Sequence, residues 1–190
     1  MKFIFFLFSF CFFFSFAAKS ESYIWGDFNG WEVGVNSGTN FGCYAMSPNY
    51  EDGSLLKIGY INMKKVEVPF YLYLGNLNWT SFTSGALYPM QINFEPSSIP
   101  YDGDAIIENT GGYSFLSFKI NAEFVKEFSQ KDSIDFLYEG NSVAYLTLRG
   151  SFIAIKELVA CQLAVAEAGV ANTSLKGLLK KKSPRDPFQK

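Results

Sequence analysis

Val68-Pro69-Phe70-Tyr71-Leu72-Tyr73-Leu74-Gly75-Asn76 decides the class of fold. Val68, Phe70, Leu72 and Leu74 fall on one face of an extended chain, Tyr71 and Tyr73 fall on the other, and Gly75-Asn76 breaks the run. A period of two with large side chains on both faces predicts a strand inside a sheet. The same alternation places Leu56, Ile58 and Tyr60 on one face after the turn Asp52-Gly53, then Tyr88, Met90, Ile92 and Phe94, then Leu116, Phe118 and Ile120. Trp31–Val35 and Phe41–Ala45 read as two earlier strands. These sets are the expected core, and residues 31 to 120 are expected to be all-β apart from a long loop over Pro96–Asp104.

Helix is expected twice. Asn121 can cap a short one carrying the stripe Phe124, Val125 and Phe128. Ser151 can cap a longer one to about Ala168, with Phe152, Ile155, Leu158, Val159 and Val165 on its apolar face and Cys161 at the edge of that arc. Between the helices, Gly140-Asn141 suits a tight turn that sets Tyr138 opposite Val143 and Phe136 opposite Tyr145. The expected fold is therefore α+β: a mostly antiparallel sheet, partial barrel or sandwich, with a short helix and a longer C-terminal helix packed on it.

The chain is 190 residues long, and its start reads as an export signal. Lys2, the apolar run Phe3–Phe14 and the small residues Ser15, Ala17 and Ala18 follow the order of a cleavable leader. The run is shorter than the roughly 20 residues that cross a bilayer. We expect residues 1–17 to be removed, 18–171 to form a single α+β domain, 172–190 to be a basic, flexible tail, and no membrane span to remain. The mature protein is expected to be periplasmic or secreted.

Two cysteines survive that cut, Cys43 and Cys161, in a protein sent where disulfides persist. A bond between them would close a loop worth up to about 5 kcal/mol on chain-entropy grounds. Two buried thiols packed as small hydrophobes are the alternative. Histidine is absent from the sequence, which removes Ser-His and Cys-His nucleophile pairs and the usual zinc ligand sets. A Ser-Lys pairing would need Lys57, Lys119 or Lys156 buried beside a serine. No cofactor or metal is expected.

Residues 18–171 carry a net charge of −8, whereas 172–190 carry +5. An acidic body repels a phosphate backbone, so nucleic acid is not an expected partner. The tail could make a weak contact with an anionic surface. Two groups of side chains are candidate sites. Tyr71 and Tyr73, with Trp79, could form a flat aromatic contact surface; their alternative role is a second buried face beneath the last helix. Asp102, Asp104 and Glu108 form an acidic loop that calcium or general acid–base chemistry could use, against the plainer role of an acidic turn.

The segment Tyr145-Leu146-Thr147-Leu148-Arg149-Gly150-Ser151-Phe152-Ile153-Ala154, with Trp31 ahead of Cys43, resembles small proteobacterial periplasmic proteins of the invasion-associated locus B family. The resemblance implies an exported β-rich protein without known enzymatic activity, linked in that family to host-cell invasion. The expectation for function is an exported non-catalytic module acting through surface contacts with a protein or envelope component. A small-ligand or glycan-binding periplasmic protein is one alternative, and a carboxylate-based hydrolase another.

Overall fold

The computed structural model describes residues 22–36, 42–47, 50–61, 70–96, 99–110 and 113–170. The expected signal and tail, Phe41, Val68, and positions 97 and 98 of the expected loop lie outside them. The strands are β1 (Ser22–Phe28), β2 (Trp31–Asn36), β3 (Gly42–Met46), β4 (Ser54–Tyr60), β5 (Phe70–Asn76), β6 (Leu87–Glu95), β7 (Tyr101–Thr110), β8 (Tyr113–Ile120), β9 (Ser133–Tyr138) and β10 (Asn141–Thr147). The helices are α1 (Ala122–Gln130) and α2 (Ser151–Val170). All ten strands join one antiparallel sheet in the order β1-β2-β3-β4-β5-β8-β7-β6-β9-β10, with β1 and β10 left as edges. The fold is α+β and the sheet is not closed.

The alternation read from the sequence sorts the two faces. Leu56, Ile58, Leu72, Leu74, Met90, Ile92, Phe94, Leu116 and Phe118 are buried on the inward face. That face curls onto itself: the rings of Phe118 on β8 and Phe136 on β9 lie 5.9 Å apart, although two strands separate β8 from β9. Helix α1 fills the end of the curl, with Phe128 edge-on to Trp31 of β2 and Phe124 against Phe94 of β6. Asn121 caps it as its position predicts, accepting the Phe124 N–H at 2.9 Å. The margins are tied together by the Trp31 indole, which donates to the Arg149 carbonyl, and the Tyr50 hydroxyl, which donates to the Thr147 carbonyl.

Helix α2 lies over β1, β2 and β3 and touches α1. Cys161 and Cys43 are joined in a disulfide, Cα to Cα 6.1 Å, and Gln162 Oε1 accepts the Cys43 N–H beside it. This contact sets the helix rotation and corrects the expected buried face. Ala154, Ile155, Leu158, Cys161, Val165 and Ala168 point inward, whereas Phe152 is 62% exposed and Val159 40% exposed. Ser151 donates its hydroxyl to the Phe128 carbonyl, linking the two helices.

Three further differences have local causes. β1 pairs with β2 through a turn at Asn29 and Gly30, both at positive φ, and an irregularity between Ile24 and Gly26 interrupts its alternation. β7 runs through much of the expected loop and contains Asp102, Asp104 and Glu108. The β9–β10 turn is Glu139-Gly140, both at positive φ, so Tyr138 pairs with Asn141 and Phe136 with Ala144.

Replacing both Cys43 and Cys161 with alanine should lower stability by about 2–5 kcal/mol through release of the unfolded chain. Urea denaturation of the oxidised protein and the double variant measures this; equal midpoints would show that the bond contributes nothing.

Candidate functional site

Outward-facing aromatic rings lie on glycines of the adjacent strands. Tyr44 of β3 lies over Gly34, Tyr71 of β5 over Gly59, and Phe115 of β8 over Gly75, each across a paired position. A Cβ built on Gly34 or Gly59 would stand 2.7 or 2.6 Å from the tyrosine oxygen, and one on Gly75 would stand 2.5 Å from the Phe115 ring. Glycine inside a strand normally weakens it, but here the missing side chain lets a ring settle onto backbone. Tyr44 and Tyr71 are each only 4% exposed as a result.

Polar groups are threaded through these rings. The Tyr44 hydroxyl donates to Glu32 Oε1 at 2.8 Å, and Lys57 Nζ stands 4.1 Å from the centre of the Tyr44 ring. Tyr71 and Tyr73 are 4.7 Å apart, Tyr73 touches Phe115, and the Tyr73 hydroxyl donates to Glu108 Oε2 at 3.4 Å. Burial lowers the Lys57 pKa against the opposing pull of the Glu32 carboxylate. Burial raises that of Tyr71, reinforced by the neighbouring phenols of Tyr73 and Tyr44. Tyr73 is raised by burial and then by the Glu108 charge.

The structure thus brings Tyr71 and Tyr73 together, with Tyr71 buried and Tyr73 half-buried. Trp79 belongs to another group. Its ring meets Phe82 edge-on at 5.5 Å, Phe82 meets Tyr88, and Tyr88 meets Tyr138, making a half-buried aromatic stripe packed against the inward core. Helix α2 packs on β1–β3 and not on the β5 tyrosines among the described contacts.

Asp102, Asp104 and Glu108 are exposed and share the outward face of β7. Glu108 bonds Tyr73, and Asp102 accepts from Gln91 Nε2 at 3.2 Å. Asp102 and Gly103 line two shallow depressions, one of about 690 Å³ beside β6 and the Glu139-Gly140 turn, which Asp104 also lines, and one of about 410 Å³ beside β8. Among the described residues, no group of three or more Cys, Asp or Glu gathers to hold a metal. Lys119 and Lys156 are exposed, and Ser151 is spent on the Phe128 carbonyl. Among the described residues no helix is long and apolar enough to cross a membrane.

Sequence reading missed Gly34, Gly59, Tyr44 and Lys57 as parts of the outward face. The available signal was glycine isolated within an otherwise strand-like segment, as in Leu56-Lys57-Ile58-Gly59-Tyr60, which marks close approach of another group.

No protein-family model matches the chain, and no curated protein is detectably similar to it in sequence. In architecture it resembles the crystal structure of invasion associated protein B from Bartonella henselae, with a TM-score of 0.51 and 10% identity, over 72% of this chain and 96% of that one. The likeness is one of fold, and it bears out the resemblance read from the Tyr145–Ala154 segment.

One prediction comes from this face and a second from the buried tyrosines. Gly59→Ala should destabilise the protein by about 1–3 kcal/mol, because the new methyl meets both Tyr71 and the Cys43 carbonyl. Gly103→Ala, with no atom within 4 Å of its Cβ, is the control; equal melting temperatures for the two would refute the close contact. The second prediction concerns alkaline pH. Burial holds the Tyr50 hydroxyl up at about 12, and Tyr71 is raised in the same direction. Above pH 10 the folded state keeps protons that the unfolded chain loses, so stability falls as pH rises. Lys57 acts oppositely: the unfolded chain holds its proton longer, so stability gains as pH climbs from the folded pKa towards 10.5. Melting temperature against pH should therefore fall from about pH 10 upward, and Tyr50→Phe should flatten the fall.

Proposed function

We propose that this protein is an exported, non-catalytic module that acts through surface contacts with a protein or envelope component, in the periplasm or outside the cell. The observation that carries the reading is the outward tyrosine face. Tyr73 sits half-exposed on a rigid sheet, backed by Tyr71 and Phe115 and linked to Glu108, with Lys57, Tyr44 and Glu32 on the neighbouring strands. Rings already fixed by packing bind at little entropic cost, and the flanking charges add orientation. Export is supported by the leader-like residues 1–17, by a disulfide that needs an oxidising compartment, and by the fold likeness to invasion associated protein B. The chain's lack of histidine leaves few routes to nucleophilic catalysis. A weak contact of segment 172–190 with an anionic surface belongs to the same proposal and would weaken with salt.

Photo-crosslinking in the native host tests the contact face. A benzoyl-phenylalanine placed at Tyr73 should give one discrete adduct that unlabelled protein competes away. The same probe at Tyr145, which is 57% exposed on β10, should not. No adduct at position 73, or the same adducts from both positions, would overturn the reading.

A further inference from the structure

β7 and β8 part company halfway along. β6 pairs with β7 from Leu87↔Ile106 to Ile92↔Tyr101, and β5 pairs with β8 as far as Phe70↔Ile120. The ladder between β7 and β8 stops at Ile106↔Ser117. Residues 101–105 of β7 and 118–120 of β8 are therefore paired on one side only among the described strands. Continued at the same register, Asp104 would lie opposite Lys119.

The opened backbone groups can be identified. Ile107 N–H bonds to the Ala86 carbonyl, and its carbonyl accepts from Gly85, both on the β6 side. Because an antiparallel strand alternates the neighbour to which successive residues bond, Asp102 and Asp104 direct N–H and C=O away from β6, into the split. The opening is the depression of about 410 Å³, with Ile92, Phe118 and Phe124 as its apolar floor and Lys119 and Asn121 on the far lip. A Cβ on Gly103 would meet nothing within 4 Å, so that lip stands in open space. At the end of the split Tyr101 borders a second depression, which Glu123, Lys126, Glu127 and Lys131 line together.

We propose that this split binds an extended basic peptide segment of a partner protein, whose backbone pairs with the two open strands and completes the sheet. A peptide fits because it alone supplies donors and acceptors at strand spacing to both lips while setting an apolar side chain on the floor. An apolar molecule would leave the strand amides and carbonyls unpaired. The balance of charge favours basic residues: Asp102 lines the opening and Asp104 follows it on the same lip, against Lys119 on the other, while the pairs Glu123 with Glu127 and Lys126 with Lys131 offset one another in the neighbouring depression. The site uses none of the outward tyrosines and goes beyond the contact face proposed above.

The probe is the capped pentapeptide Lys-Val-Lys-Phe-Lys, added to the full, disulfide-bonded protein and followed by amide hydrogen exchange. Binding should slow exchange at Asp102, Asp104 and Lys119. The same peptide methylated on alternate backbone nitrogens, and Glu-Val-Glu-Phe-Glu, should fail to do so. Asp104→Pro removes an N–H that faces the split and leaves the β6 ladder intact, so it should weaken binding about tenfold, whereas Asp104→Asn should bind within about threefold of the parent. Absence of protection at those three amides, or equal binding by the methylated peptide, would overturn the proposal without needing any variant. Equal binding by a folded Asp104→Pro would do the same. Crosslinking at Tyr73 is read separately, so the contact face and the split can fail independently.

Discussion

The Cys43–Cys161 bond fixes how the longest helix meets the sheet, and the arrangement of the rest depends on that rotation. With the sulfur link and the Gln162–Cys43 hydrogen bond both on its inner side, α2 has one way to lie across β1–β3. Its first turn then meets α1 through Ser151 and the Phe128 carbonyl. Phe128 in turn carries the edge contact with Trp31. A covalent constraint at one margin is thus relayed through two helices to the inside of the curl. The strands before and after residue 121 share a core that their own hydrogen-bond ladders would leave open.

Most of this architecture can be read from residue spacing, and the exceptions have definite causes. The strands containing Leu56, Leu72, Ile92 and Leu116 are legible because each has a full set of large inward side chains; α1 is legible because Asn121 precedes a compact phenylalanine stripe. β7 escapes because Asp102-Gly103-Asp104 carries the composition of a turn, and only Ala105 and Ile107 mark its buried side. In α2 apolar residues occur nearly all round the helix, so periodicity cannot choose between the face of Phe152 and the face of Ala154. Tertiary contacts with Cys43 make that choice.

The candidate surfaces were less legible because they depend on pairing register. That Tyr71 is buried while Tyr73 is partly open follows from Gly59 standing beside one and Lys57 beside the other. Nothing within β5 alone distinguishes the two. Trp79 sits close to them in sequence, yet the turn after Asn76 sends it to the inward stripe with Phe82, where its backbone carbonyl accepts from Ser114. Sequence proximity grouped three aromatic residues; strand geometry separates one of them.

The split between β7 and β8 has a structural cause in α1. β8 ends at Ile120 and the capped helix starts at once, so Phe124 must be placed within a turn of the strand end. Its ring lands against Phe94 of β6 and Tyr101 of β7, 4.9 and 5.0 Å between centres. The first turn of α1 therefore sits beneath the point where β7 and β8 would otherwise converge. Continuing their ladder would require the strands to close over a seat already occupied by that phenylalanine, whose burial contributes on the order of 2–3 kcal/mol. The few terminal strand hydrogen bonds forgone, each of about 1 kcal/mol net in water, are of the same order. Filling the core end of the curl and leaving two strand edges open are consequences of the same residue's position.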